Sequence, residues 1–213
     1  MKKKTVYISL SVDILHHGHI NLIEQAKKYG SIVAGLLTDK AIASAKRLPL
    51  LDYSQRKKIL QNINGVDKVV QQNEWDYTPN LLKIKPDYMV HGDDWKTGRD
   101  KDLRARTILT LKKIGSKLIE IPYTKNISSS NMQNRIYEEG LTPANRQTLL
   151  KRLIDTKDIC RILETHSPLS AIIAEKVFYK TNSKKKIEFD GFWSSSLTDS
   201  TLKGKPDIEV LDL

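Results

Sequence analysis

Near its amino terminus the chain reads Thr5-Val6-Tyr7-Ile8-Ser9-Leu10-Ser11-Val12-Asp13-Ile14-Leu15-His16-His17-Gly18-His19. The first part of this stretch is an apolar, β-branched run, which predicts a buried strand. The run breaks at Ser11, and helical periodicity begins after His19. The order strand, loop, helix leaves backbone N–H groups at a helix N-terminus, where phosphate binds well. Gly18 lets a ligand approach the backbone, and His16 and His19 can donate hydrogen bonds to one phosphate chain.

Strand-like and helical patterns alternate through the rest of the first 139 residues. This alternation predicts an α/β domain whose five-stranded sheet is parallel and covered on both faces. A ligand site is expected where the first strand meets the following helix. The later strands are predicted at 31–37, 66–71, 87–91 and 117–121, and the helices at 18–29, 53–63 (N-capped by Asp52), 78–84, 99–114 and 128–139.

The remaining residues form a second, shorter region. Residues 140–145 have the composition of a linker, so the expected domains are 1–139 and 146–213. The second domain shows helical patterns at 146–155 and 168–179, and strand patterns at 159–163 and 187–192. Two βα units cannot close a barrel, so this region is predicted to be an incomplete βα segment.

Composition narrows the function classes. The formal net charge of the 213 residues is +11, but the lysines are scattered over helices and not interleaved with aromatic residues. A polyanionic small ligand therefore explains the charge as well as nucleic acid does, and nucleic-acid binding is kept as a weaker alternative. There is no apolar run of about 18 residues, so no membrane span is expected. The single cysteine, Cys160, is interpreted as strand packing in a cytoplasmic protein.

Four motifs carry a resemblance to a known family. In order they are Ser11-Val12-Asp13-x-x-His16-x-Gly18-His19, Lys46 with Tyr53-Ser54-Gln55-Arg56, His91-Gly92-Asp93-Asp94-Trp95, and Ile127-Ser128-Ser129-Ser130. Together they cover about residues 4 to 137, and this region resembles the cytidylyltransferase-like nucleotidyltransferases, also called the HxGH family. The resemblance implies a Rossmann-like fold. It is strongest to glycerol-3-phosphate and ethanolamine-phosphate cytidylyltransferases and to the domains fused to phosphoenolpyruvate mutase in phosphonate pathways.

Such enzymes let a phosphate or phosphonate oxygen attack the α-phosphorus of CTP, with pyrophosphate leaving. Catalysis then rests on positioning and charge stabilisation. The resemblance implies catalytic roles for His16, His19, Lys46 and Ser129. It implies nucleotide-binding roles for Ser11, Asp13, Gly18, Arg56, Asp94, Trp95, Thr124, Ile127, Ser128 and Ser130. Mg²⁺ is the expected cofactor, with Asp13 as a candidate ligand, and a homodimer is the expected assembly.

Several of these residues have a purely structural alternative. Ser128 to Ser130 could only cap a helix, Arg56 could pair with Asp52, and Trp95 could be core packing. His91 could be a buried histidine whose ring makes its hydrogen bonds to other protein groups. Tyr123 stands where the family often has Arg, which leaves the mode of base recognition open.

The second region carries a resemblance of its own. Residues 161–171 and 189–200 resemble the start of a phosphoenolpyruvate mutase barrel, with Trp193, Ser195 and Leu197 at the phosphonopyruvate site. This points to phosphonate biosynthesis, with 2-hydroxyethylphosphonate or 2-aminoethylphosphonate as the expected acceptor of CMP. Phosphoethanolamine and glycerol 3-phosphate are the alternatives, as are ATP in place of CTP and mutase activity in a longer chain. No mutase activity is expected from these 213 residues alone.

Overall fold

A computed structural model describes residues 3–97, 100–124, 132, 136, 143–181 and 186–206. The chain divides into two compact units, Met1–Arg152 and Leu153–Leu213. Within the described ranges, no helix combines the length and the apolar character that crossing a membrane requires.

The first unit is an α/β domain around a five-stranded sheet. Its strands have the order β3-β2-β1-β4-β5, and every neighbouring pair is parallel. The predicted fold class is therefore confirmed. The strands are β1 (Thr5–Leu10), β2 (Ser31–Leu37), β3 (Lys68–Gln72), β4 (Tyr88–Gly92) and β5 (Lys117–Ile121), and the helices are α1 (His17–Lys27), α2 (Asp39–Ala43), α3 (Tyr53–Gln61), α4 (Thr78–Ile84) and α5 (Lys101–Lys113).

Strand β1 lies at the centre of the sheet and is buried on both faces. Val6, Ile8 and Leu10 pack into one apolar cluster with Ile23 of α1 and other residues. Tyr7 points to the other face and packs in a second cluster, which includes residues of α4 and α5. Side chains alternate along a strand, so a continuous apolar run supplies both faces of a covered parallel sheet.

The strand order places a crevice between β1 and β4. From β1 the chain proceeds through α1 to β2 on one side, whereas β4 pairs with β1 on the other side. Such a reversal is where open parallel sheets bind ligands, beyond the carboxyl ends of the strands. The segment after β1 leads to His16 and His19, and a 3₁₀ helix (Asp93–Lys96) follows β4.

The predicted segments of the first unit agree closely with the observed ones. Strand β2, helix α4 and strand β5 have the predicted bounds, and Asp52 caps α3 by accepting from the N–H of Gln55 at 2.9 Å. Helix α3 begins at the predicted residue, and the other ends differ by one or two residues, because end residues are satisfied by turns and caps as well as by regular ladders. Of the helix predicted over 128–139, the structure describes only Met132 and Ile136, and both are helical.

The second unit contains two small sheets. Strands β6 (Ile162–Thr165) and β9 (Gly191–Ser194) are parallel neighbours, and β7 (Phe178–Lys180) pairs antiparallel with β8 (Lys186–Glu188). Helix α7 (Pro168–Lys176) follows β6, and α8 (Ser196–Leu202) follows β9. A parallel pair joined through a helix is the repeating element of β/α barrels.

Several predictions for the later residues need correction. Helix α6 (Pro143–Thr156) begins within the stretch interpreted as a linker. Helix α7 ends at Lys176 instead of reaching Tyr179, because the chain becomes extended at Val177. Cys160 precedes β6 and is not part of it, since the strand begins at Ile162. The short helix α8 was not predicted.

Candidate active site

A cavity of about 260 Å³ opens at the carboxyl ends of β1 and β4. The segment after β1 contributes Ser11, and the start of α1 contributes His16 and His19. Residues after β4 and β5 complete the wall with Asp94 and Thr124. The cavity thus lies at the topological switch point that the sequence predicted, and it brings together residues from separate motifs.

His16 and His19 are held at the start of α1 by reciprocal hydrogen bonds. Nδ1 of His16 accepts from the N–H of Gly18 at 3.1 Å, and Nδ1 of His19 accepts from the N–H of His16 at 3.3 Å. His16 is therefore the N-cap of the helix, in a capping-box arrangement. The two rings lie 4.0 Å apart between centroids.

These bonds determine the tautomer of both imidazoles. Burial is the main effect that lowers the pKa of His19, to about 4, and the charges of His16 and Lys46 act in the same direction. Burial, followed by the charge of His17, lowers the pKa of His16. Both rings are thus neutral at pH 7, and because each Nδ1 accepts, each Nε2 carries the proton. Each ring can then donate one hydrogen bond from Nε2 to a phosphate oxygen.

Gly18 lines the cavity, and the absence of a side chain here also makes room for a protein group. A Cβ at this position would lie 2.9 Å from Cε1 and Nδ1 of His16, closer than real Cβ atoms approach. The missing side chain therefore makes room for the capping ring of His16. The glycine serves the site by fixing the imidazole in place.

Lys46 also lines the cavity, just beyond α2. Its backbone N–H donates to the carbonyl of Ile42 at 2.8 Å, which closes the last turn of this helix. Its Nζ lies 5.3 Å from the centre of the Trp75 ring, within the range of a cation–π contact. The ammonium thus supplies positive charge to the cavity that the two histidines line.

Asp13 contacts a protein loop in place of a ligand. Its side chain is buried, and Oδ1 accepts from the N–H of Leu51 at 3.0 Å. Burial raises the pKa of this carboxyl, against the opposing hydrogen bonds from the N–H groups of Leu51 and Leu50. Val12 precedes it with φ of +52°, a conformation that β-branched residues rarely adopt. Local strain of this kind is often found at functional sites.

Arg56, for which the resemblance implies a nucleotide-binding role, is fully buried and binds protein groups instead. Its Nε donates to the carbonyl of Leu51 at 3.1 Å, and one terminal nitrogen donates to the carbonyls of Ser11 (2.6 Å) and Leu37 (2.8 Å). The other terminal nitrogen pairs with Asp39 at 2.5 Å. The alternative pairing with Asp52 is also wrong, because Asp39 is the carboxylate within reach.

The residues after β4 divide between the cavity and the core. Asp94 lines the cavity, as predicted. Trp95 is 2% exposed and lies behind His91, with the two rings stacked at 3.8 Å. Its indole N–H donates to Glu120 at 2.8 Å. Trp95 is therefore core packing that supports His91, and the prediction that it lines the ligand site is corrected.

The residues of the fourth motif are only partly described. Thr124 lines the cavity, and its hydroxyl accepts from the amide of Asn21 at 3.3 Å. Ile127, Ser128, Ser129 and Ser130 lie outside the described residues, so their roles stay predictions. Tyr123, the residue that departs from the family pattern, also lines the cavity.

The described residues do not form a metal site around Asp13. No group of three or more His, Cys, Asp or Glu side chains with metal-binding geometry occurs in the described ranges. Asp13 is committed to the Leu51 loop, and Asp94 contributes the acidic side chain of the cavity wall. Mg²⁺ usually keeps several waters and binds through substrate phosphates, so the expected Mg²⁺ does not require such a group of side chains and stays a prediction.

Among the cavity residues that were not predicted as site residues, His91 and Tyr123 carry polar rings. His91 is the last residue but one of β4, and Tyr123 follows β5, so both come to the same edge of the sheet. The N–H at Nδ1 of His91 donates to its neighbour's carbonyl, that of Gly92, at 2.7 Å, and Nε2 lies 3.1 Å from the hydroxyl of Tyr77. Their positions at strand ends were the signal that could have identified them.

Comparison with known proteins agrees with this geometry. The profile of the family described as cytidylyltransferase-like matches residues 11–135, which is more than half of the chain. Glycerol-3-phosphate cytidylyltransferase of Bacillus subtilis (strain 168) is 30% identical over 64% of this chain and 98% of its own length. Ethanolamine-phosphate cytidylyltransferase of Dictyostelium discoideum is 31% identical over 62% of this chain, but this match covers 36% of that protein.

A solved structure supports the fold alone. The lipopolysaccharide core biosynthesis protein from Thermoplasma volcanium GSS1 superposes with a TM-score of 0.50 at 23% identity, over 58% of this chain and 99% of that one. The profile match begins at Ser11 and contains the histidines, Lys46 and the strand ends that form the cavity. The chain therefore belongs to the cytidylyltransferase-like family of enzymes, which transfer a nucleotidyl group.

Proposed function

We propose that this chain transfers CMP from CTP to an oxygen of a small phosphonate or phosphate monoester and releases pyrophosphate. The observation that carries the proposal is the pair of neutral imidazoles, whose Nδ1 atoms are occupied by backbone N–H groups. Their Nε2–H groups are then donors directed by a rigid helix start. A polyphosphate is the ligand that such donors, next to a lysine, are suited to bind.

In this reaction an acceptor oxygen forms a bond to the α-phosphorus while the bond to the bridging oxygen of pyrophosphate breaks. The leaving pyrophosphate takes the electrons of the broken bond. Because the acceptor oxygen is itself the nucleophile, no protein nucleophile is needed. His16 and His19 would donate from Nε2 to the phosphate oxygens where negative charge develops. Lys46 would neutralise charge on the α-phosphate and the acceptor. Donors that are already oriented before the reaction account for much of the catalysis in such transfers.

CTP is proposed as the nucleotide because the relatives named above are cytidylyltransferases. A probable choline-phosphate cytidylyltransferase of Schizosaccharomyces pombe is a further relative, 26% identical over 94% of this chain. The names of these proteins differ in the phosphate monoester but share the cytidylyl group. An FAD synthase of Methanothermobacter marburgensis also matches, at 31% identity over 53% of the chain, which keeps ATP as the alternative nucleotide.

The proposed acceptor is 2-hydroxyethylphosphonate or 2-aminoethylphosphonate. The support is the resemblance of the later residues to the start of a phosphoenolpyruvate mutase barrel, together with the parallel β6–β9 pair of the second unit. Phosphoethanolamine and glycerol 3-phosphate are the alternatives, and the names of two relatives favour them. A phosphonate and a phosphate monoester present the same nucleophile, an anionic oxygen on tetrahedral phosphorus.

A phosphorus NMR time course would test the reaction and identify the acceptor together. The chain is mixed with Mg²⁺ and CTP, and each of the four acceptors is supplied in a separate tube. We expect pyrophosphate and a pair of coupled phosphorus signals in the tube that holds the true acceptor. Coupling between a phosphonate and a phosphate signal supports phosphonate activation, whereas coupling between two phosphate signals selects the alternative.

Two controls make the result specific. Replacing CTP by ATP distinguishes cytidylyl from adenylyl transfer, and Lys46→Ala should lower turnover by about 100- to 1,000-fold, to a low residual rate. Lys58→Ala changes a lysine on the exposed side of α3 and should retain the turnover of the wild type. A further tube with phosphonopyruvate tests for the mutase reaction, which we expect to be absent. If no tube shows turnover with either CTP or ATP, the proposed function is contradicted.

A further inference from the structure

The backbone just after Lys46 is held by side chains from three separate parts of the first unit. Asp13, after β1, accepts from the N–H of Leu51 at 3.0 Å. Arg56, on α3, donates to the carbonyl of Leu51 at 3.1 Å. Arg152, on α6, donates to the carbonyls of Leu50 (2.9 Å) and Pro49 (3.0 Å). The loop of residues 46–52 is therefore fixed by its main chain.

Arg152 also holds the segment that precedes Lys46. One of its terminal nitrogens lies 3.3 Å from Oδ2 of Asp39, while Arg56 occupies Oδ1 of the same carboxylate. Asp39 is the first residue of α2, and the last turn of that helix binds the backbone N–H of Lys46. One guanidinium thus contacts the start of α2 and the loop after Lys46.

The arrangement suits an arginine and no other side chain. A guanidinium presents several N–H donors in one plane, so it can bind two carbonyls and a carboxylate together. The Arg152 side chain is 23% exposed and Asp39 is 15% exposed, so water competes only in part for these contacts. A lysine can pair with the carboxylate, but it lacks the planar fork.

We propose that Arg152 is a positioning residue for Lys46. It lies beyond residues 11–135, the part of the chain that matches the family profile. The inference rests on the proposed function, because it takes Lys46 to act on the phosphates. Arg152 itself touches the loop backbone and Asp39, and acts on the reaction through the loop.

The consequence for catalysis follows from geometry. Without Arg152, the carbonyls of Pro49 and Leu50 lose a donor and Asp39 loses one of its two cations. Lys46 then samples more positions relative to the histidines. Misplacement of a catalytic group by about 1 Å can reduce the rate about 100-fold. We expect Arg152→Ala to lower kcat by about 10- to 100-fold, with a much smaller change in the KM for CTP.

Hydrogen exchange of the nucleotide-free chain tests the structural part. We expect peptides covering residues 46–52 to exchange several-fold faster in Arg152→Ala than in the wild type. Arg152→Lys, which retains a charge near Asp39 and so protects the fold, should give an intermediate rate. Arg106→Ala is the matched control, because Arg106 is a more exposed arginine paired with Asp76. Unchanged exchange in both Arg152 variants would overturn the proposal.

A double-mutant cycle tests the link to Lys46. Arg152→Ala is introduced into the wild type and into Lys46→Ala, and residual turnover is compared. If Arg152 acts through Lys46, Arg152→Ala lowers turnover by less than about 2-fold in the Lys46→Ala background. If Arg152→Ala lowers turnover by the same factor in the Lys46→Ala background as in the wild type, Arg152 acts by another route. A wild type without turnover contradicts the proposed function, while the exchange experiment still decides whether Arg152 holds the loop.

Discussion

The backbone N–H of His16 donates to Nδ1 of His19 at 3.3 Å, so one histidine fixes the ring of the other. Nδ1 of His16 is in turn occupied by the N–H of Gly18. Neither ring can rotate to present Nδ1 to a ligand without breaking a cap at the start of α1. The site therefore offers two Nε2–H donors whose direction is set by the helix backbone.

Removing either donor should reduce turnover strongly. We expect His16→Ala and His19→Ala each to lower kcat by about 100- to 1,000-fold, the effect of deleting one oriented donor to developing charge. Single-turnover assays with CTP and the identified acceptor would measure the loss. His17→Ala is the control, since His17 is exposed on the same helix turn. Equal losses in all three variants would contradict the assigned roles.

Protonation of His19 should make stability depend on pH. Its pKa is about 4 in the folded chain, whereas an unfolded histidine has a pKa near 6.5. The unfolded state therefore binds the proton first, and stability from this group is full above pH 6.5 and falls as the pH drops toward 4. The loss over this window should reach about 2 to 3 kcal/mol.

The comparison of wild type with His19→Gln isolates this contribution. Glutamine can still accept from the N–H of His16 but does not titrate. Urea unfolding at several pH values between 7 and 4 should show that the wild type loses stability more steeply than the variant. Parallel curves for the two proteins would contradict the lowered pKa of His19.

Gly18→Ala should separate activity from stability. The new Cβ would collide with the His16 ring, which lies at the end of a side chain and can turn away. Alanine in place of glycine stabilises a helix by about 1 kcal/mol, and loss of a cap costs about the same. The free energy of unfolding should thus change by less than about 1 kcal/mol, while kcat falls as far as in His16→Ala. Thermal melts and turnover assays on one preparation would measure the stability and the activity of Gly18→Ala. Wild-type activity in this variant would show that His16 keeps its position and would contradict the prediction.

The sequence predicted the sheet well because hydrophobic runs and turn residues are local signals. The position of His16 and His19 at the cavity also followed, since they come directly after the first strand, whereas Lys46 was placed there by the family resemblance. The sequence did not predict the roles that Asp13, Arg56 and Trp95 have in the structure. Each carries a side chain that could bind a ligand, and only the fold shows that Asp13 and Arg56 bind main-chain groups and that Trp95 packs on His91.

Arg152 gave no signal at all in the sequence. It lies about a hundred residues from the loop it holds, and its partners are backbone carbonyls, which have no residue identity. Contacts of this kind become visible only when the elements are placed in space. Helix α8 is a different case, because the hydroxyl of Ser195 accepts from the N–H of Thr198, and a serine N-cap is a local signal that a sequence can show.

The buried pair of Arg56 and Asp39 should be essential for folding and not for ligand binding. The Arg56 side chain is completely buried and donates to three carbonyls in addition to the carboxylate. Removing Arg56 takes a donor from three carbonyls and leaves Asp39 with Arg152 as its cation, so Arg56→Met should destabilise the chain by about 3 to 5 kcal/mol. Lys3→Met is the control, because the exposed pair of Lys3 and Asp67 should contribute less than about 1 kcal/mol. Denaturant unfolding measures both changes, and an Arg56 variant with wild-type stability but a raised KM for CTP would instead support the nucleotide-binding role of Arg56.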